Sequence, residues 1–139
     1  MKMSYISGSV LVALLSFFIQ VTSVFAHGED RPGPNGGIIR MPGAFHTELV
    51  KKTDQKFKVY LLDMEWKNPT VNASTLEATL EVGTKKTQAV CETKIAYFEC
   101  SIPKGMNLSK GTLTIQASRE NSPGGPAIYK LPLHAMKHE

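Results

Sequence analysis

Four histidines and six methionines are the residues of this chain best suited to chemistry. The sequence ends in "LPLHAMKHE", which gathers His134, Met136 and His138. As a continued strand, these three share a face at intervals of roughly 6.8 Å, so Met136 can share an ion with either histidine. As a helical turn opened by Pro132, His134 and His138 become an i, i+4 pair on one face. A terminal turn that short is marginal alone, and a bound metal supplies its ordering energy. The thioether of Met136 favours copper(I). The plainer reading is a solvated tail that carries soft ligands by chance.

His27 is a different kind of ligand. If an export leader is removed after Ala26, His27 becomes the first residue, and its α-amine and ring close one chelate. Copper(II) suits nitrogen donors in tetragonal geometry. An α-amine also loses its proton more readily than a lysine does. His46, in "FHTELV", is expected on the outward face of a strand beside Glu48, where a lone histidine is ordinarily polar surface. Met41 in "RMPGAFH" is the best further thioether. Met64 and Met106, near turns or strand ends, read as gap-fillers. The expected ligand set is therefore His27, His46, His134, Met136 and His138, with copper first and zinc second.

Other chemistry finds no support. The chain has no G-x-S-x-G elbow, no H-E-x-x-H, no Walker loop and no G-x-G-x-x-G. Asp63 and Glu65 are expected on one solvated strand face, whereas acid–base work needs a cleft and a shifted pKa. No enzyme is expected.

The elements that must position these residues begin with the leader. Lys2 precedes an uncharged apolar stretch that runs to Ala26, with Val24 at the minus-three position. A basic start, an apolar middle and a small-x-small end predict a signal peptide over residues 1–26. Its core is shorter than the roughly 20 residues a spanning helix needs. Export implies a periplasmic or secreted domain with no stable membrane insertion after cleavage. Nucleic acid is not expected as a partner, despite a formal net charge of +4.

Residues 27–37, rich in glycine and proline, read as a flexible lead-in with no apolar face to bury. From residue 38 to 139 the hydrophobic period is close to two. Phe45, Thr47 and Leu49 share one face; Phe57, Val59 and Leu61 another; then Leu76, Ala78, Leu80 and Val82; then Leu113, Ile115 and Ala117. Near the end, Ile128 or Tyr129 joins Leu131 and Leu133. Such alternation reads as half-buried antiparallel strands. Turn clusters such as "KNPTVN", "VGTKK" and "NSPGGP" separate them. The pattern predicts an all-β, immunoglobulin-like antiparallel sandwich of seven to eight strands, with Trp66 as a core plug. Cys91 and Cys100 flank a short turn in an oxidising compartment, so one intradomain disulfide pinning a hairpin is expected.

The stretches "HGEDRPGPNGGIIRMPGAFHTELV" and "FKVYLLDMEWKNP" resemble small periplasmic proteins with a G-P-H-G-G-type opening. Such domains occur alone or ahead of efflux adaptor subunits in heavy-metal and copper resistance. The likeness covers roughly residues 27 to 69, and Asn35 stands where that motif has its histidine. The resemblance implies a metal carrier or resistance accessory whose partners are a metal ion and an efflux or other envelope protein. The alternative expectation is a non-catalytic binding or assembly module of the cell envelope with no metal role.

Overall fold

The computed structural model describes residues 28–134. The expected leader over residues 1–26, together with His27, Met136 and His138, lies outside the described residues. Among the described residues no helix is long and apolar enough to cross a membrane.

The alternating runs become strands: β1 (Gly28–Pro32), β2 (Ile38–Arg40), β3 (His46–Lys51), β4 (Lys56–Leu62), β5 (Thr75–Val82), β6 (Lys85–Gln88), β7 (Val90–Thr93), β8 (Phe98–Ser101), β9 (Gly111–Arg119), β10 (Ser122–Pro123) and β11 (Ala127–Leu131). The count exceeds the expected seven to eight because β1, β2 and β10 are short additions at the sheet margins. One sheet runs β1-β2-β3-β4-β8-β7. The other runs β6-β5-β9, with β10 and β11 both pairing with β9. Without the additions, β3-β4-β8-β7 faces β6-β5-β9-β11. In chain order this is the A-B-E-D and C′-C-F-G arrangement of an immunoglobulin-like sandwich.

The core lies between the two sheets, and the period-two pattern dictates its members. Phe45, Leu49, Phe57, Val59, Leu61, Ala78, Leu80, Leu113 and Ile115 are all buried there. The choice between Ile128 and Tyr129 falls to Tyr129, which is fully buried, while Ile128 faces outward at 43% exposure. Trp66 is no core plug: it is half-buried in the turn after β4. The disulfide expectation holds. Cys91 and Cys100 are direct cross-strand partners on β7 and β8, with Cα atoms 4.0 Å apart. The bond lies within one sheet, so it secures an edge strand rather than joining the layers.

The lead-in is more structured than its composition suggests. Gly28–Pro32 pairs with β2, and the following turn closes through a 2.9 Å bond from the Gly36 amide to the Gly33 carbonyl. Glu48, wholly buried on the outer face of β3, holds this turn. One carboxylate oxygen accepts from the Asn35 amide at 2.8 Å and the Gly37 amide at 2.9 Å; the other accepts from Asn35 Nδ2 at 2.8 Å. Three donors to a buried carboxylate offset its desolvation. Glycine is required at position 33, because a Cβ there would lie 2.5 Å from the Glu48 carboxyl carbon.

Candidate metal centre

His46 opens β3 and pairs in register with Leu62, the last residue of β4. As expected, it points away from the core. It is not exposed: its accessibility is only 3%, and the expectation of a polar surface histidine is corrected. The cover comes from the turn that follows β4.

Asp63 builds that turn. Its Oδ1 accepts from the amides of Glu65 and Lys67, both at 2.9 Å, and its Oδ2 accepts from Asn68 Nδ2 at 2.6 Å. These donors, led by the Lys67 amide, hold the Asp63 carboxyl below its usual range, with help from the Arg119 charge. Asp63 and Glu65 therefore do not share a strand face; the strand ends at Leu62. Trp66 and Asn68 take left-handed backbone, with φ of 63° and 51°. For a bulky residue such as tryptophan this conformation is unfavourable, and the surrounding bonds must maintain it. Arg119 reaches over from the other sheet to help, donating to the carbonyls of Leu61 at 3.3 Å and Asn68 at 2.8 Å.

The turn sets the state of His46. Trp66 stands against it edge to face, with ring centroids 5.9 Å apart and planes 71° apart. His46 Nδ1 lies 3.1 Å from the Asp63 carbonyl oxygen. A carbonyl only accepts, so Nδ1 carries the proton, and in the neutral ring Nε2 carries the lone pair. This is the arrangement in which a ligand histidine is oriented by a second bond behind it.

Two thioethers belong to the same end of the sheet. Arg40 and Thr47 are the last β2–β3 pair, so Met41 follows at the level of His46; it is 40% exposed. Met64, two residues before Trp66 in the turn, is 50% exposed. Gly28 pairs with Arg40, so β1 begins at this end as well. His27 is one peptide bond earlier, outside the described residues.

His134 is exposed at the other end of the sandwich. Leu131 pairs with Gly111 at the start of β9, whereas Arg119, at its finish, contacts Leu61 beside the His46 site. The eight steps from Gly111 to Arg119 span about 26 Å at roughly 3.3 Å each. His46 and His134 cannot share an ion. Among the described residues no three His, Cys, Asp or Glu side chains are grouped as metal ligands. An ion at His46 therefore has to draw on thioethers or on residues outside the described span.

Sequence reasoning missed Asp63, Trp66 and Glu48 as positioning residues. The signal for the first two was present: an aspartate at a strand end, with Asn-Pro five residues on, favours an Asx turn. Nothing in the sequence signals the burial of Glu48. Comparison of the chain with family models, with curated proteins and with solved structures returns no match.

Proposed function

We propose that the protein is an exported, non-catalytic copper-binding sandwich, a carrier or resistance accessory that hands its ion to an efflux or other envelope protein. The observation that carries this reading is the bond from His46 Nδ1 to the Asp63 carbonyl, which leaves Nε2 as the ligand atom. Met41 and Met64 supply thioethers at the same end, His27 supplies a nitrogen from the chain before Gly28, and Trp66 shields the site from water. Soft sulfur donors rank copper(I) above zinc. The C-terminal set of His134, Met136 and His138 then forms a separate, weaker station, suited to exchange.

Copper(I) and copper(II) titration of the exported chain against a competing chelator tests the proposal. His46→Ala is expected to weaken copper(I) binding about tenfold or more, the usual scale for losing support at a metal site. The pair His134→Ala with His138→Ala is expected to leave that tight step in place. Binding unchanged by His46→Ala, or no stronger than micromolar in the parent, overturns the head-end site.

A second reading, a binding or assembly module without a metal role, is favoured by the β7–β8 hairpin. Ile95 at its tip is 98% exposed and Val90 on its edge strand is 61% exposed. Absence of any copper binding in the same titration would leave this reading standing.

A further inference from the structure

At the end of the sandwich opposite His46, two turns enclose a cleft of about 800 Å³. One is the Gly83–Thr84 turn of the β5–β6 hairpin; the other is the segment from Gly105 to Gly111 that leads into β9. Val82 and Met106 form its apolar wall, Thr84 and Ser109 bring hydroxyls, and Lys85 and Lys110 bring amines. No aspartate or glutamate lines it.

Lack of a carboxylate partner is common among the described lysines; what sets Lys85 and Lys110 apart is that both line one concave surface. Lys86, the next residue on β6, is paired with Glu81 at 3.0 Å. Lys51, Lys67 and Lys94 also have carboxylate partners, whereas Lys85 and Lys110 have none among the described residues. Two unneutralised cations on one concave surface create a positive potential that an anion relieves.

The walls are also preformed. The Leu108 side chain is fully buried, and its amide donates to the Asp54 carbonyl at 2.7 Å. Asn107 Oδ1 accepts from the Ser109 amide at 3.0 Å and from the Ser109 hydroxyl. Gly111, at φ 100°, presses against β5 so closely that a Cβ would meet the Glu81 carbonyl oxygen at 2.1 Å. Pre-built walls mean that little ordering cost is charged to binding.

We propose that this cleft binds a phosphate group, with Lys85 and Lys110 on its oxygens, Thr84 as a hydroxyl donor, and Val82 with Met106 against an attached apolar portion. Lysine serves as a compact point charge for phosphate. The group can come from a free phosphorylated small molecule or from a phospholipid headgroup at the envelope surface. The inference does not depend on the copper reading.

The test is an amide-shift titration of the exported chain by nuclear magnetic resonance. Inorganic phosphate and glycerol phosphate are the free probes; vesicles of phosphatidylglycerol and of phosphatidylcholine are the surface probes. Saturable shifts are expected at Gly83, Gly105 and Gly111. Lys85→Gln with Lys110→Gln should weaken binding about tenfold, as for losing a charge-assisted hydrogen bond. Lys67→Gln, at the other end, should change nothing. Saturable binding of the free probes supports a soluble ligand. Binding to phosphatidylglycerol alone supports a headgroup. Non-saturating shifts spread over all lysines, or equal affinity in the double variant, overturn the site.

Discussion

The Tyr129 hydroxyl on β11 lies 2.6 Å from the Thr47 hydroxyl on β3, and it also donates to the Thr47 carbonyl at 3.1 Å. Because the phenol's one proton goes to the carbonyl, the threonine hydroxyl must donate to the phenol oxygen. The pair is buried between the sheets and ties together the first and last strands of the eight-strand sandwich. Arg40 reinforces it, with its guanidinium 5.2 Å from the Tyr129 ring and Nε donating to the Ile128 carbonyl at 3.1 Å. Burial pushes the phenol far above its ordinary range. Tyr129→Phe removes both bonds and leaves Thr47 unsatisfied, a loss of about 1–3 kcal/mol. Thr47→Val should cost a similar amount, and the double variant less than the sum. Urea unfolding of the four proteins measures the coupling; strict additivity would show that the pair does not act as a unit.

Glu48 governs the opening turn. Glu48→Ala strips the acceptors from three N–H donors and empties a buried volume, so a loss of about 3 kcal/mol or more is expected. Asn35→Ala removes only the side-chain donor, and its backbone bond to Glu48 survives. It should cost about 1 kcal/mol. Gly33→Ala drives a methyl into Glu48 and Ile39 and should cost about 1–3 kcal/mol. Denaturant midpoints rank the three; a milder loss for Glu48→Ala than for Asn35→Ala would contradict the clamp.

The disulfide secures β7, which among the described residues has β8 as its only sheet partner. Reduction, or Cys91→Ser with Cys100→Ser, should lower stability by roughly 2–3 kcal/mol in the chain-entropy model. The head of the molecule, where His46 and Trp66 meet, should be untouched. Unfolding with and without reductant, read by Trp66 fluorescence, checks both statements, since the chain has one tryptophan.

Acid should loosen the Asp63 turn before it loosens the core. The Asp63 carboxyl in the folded protein is held below its ordinary value of 3.8, so the turn's stabilisation is complete above that value. It is lost as pH falls through the lower, folded value. Trp66 emission should therefore shift below pH 3.8 while the near-ultraviolet signal of buried Tyr129 persists. In Asp63→Ala the shifted emission should already be present at neutral pH. An unchanged Trp66 signal in that variant would break the link.

Much of this fold was legible in the chain. Alternation placed Phe45, Thr47 and Leu49 on one side and His46 and Glu48 on the other, because a strand's side chains must point to opposite faces. The nine-residue spacing of Cys91 and Cys100 matched cross-strand partners for the same local reason. What alternation cannot report is what lies over the outward face. His46 and Glu48 are buried by a turn after β4 and a turn before β2, and both coverings are products of the folded chain. Tyr129 rather than Ile128 is in phase with buried Ala127 and opposite Leu113 of β9, and only the folded chain shows that its hydroxyl meets Thr47, 82 positions away in sequence. The separation of His46 from His134 is likewise a matter of register: pairing of β11 with the start of β9 sends the chain's last described residue away from the first strand's beginning. Face and period are properties of neighbours in sequence, whereas cover, partner and pole are decided by contacts between segments far apart in it.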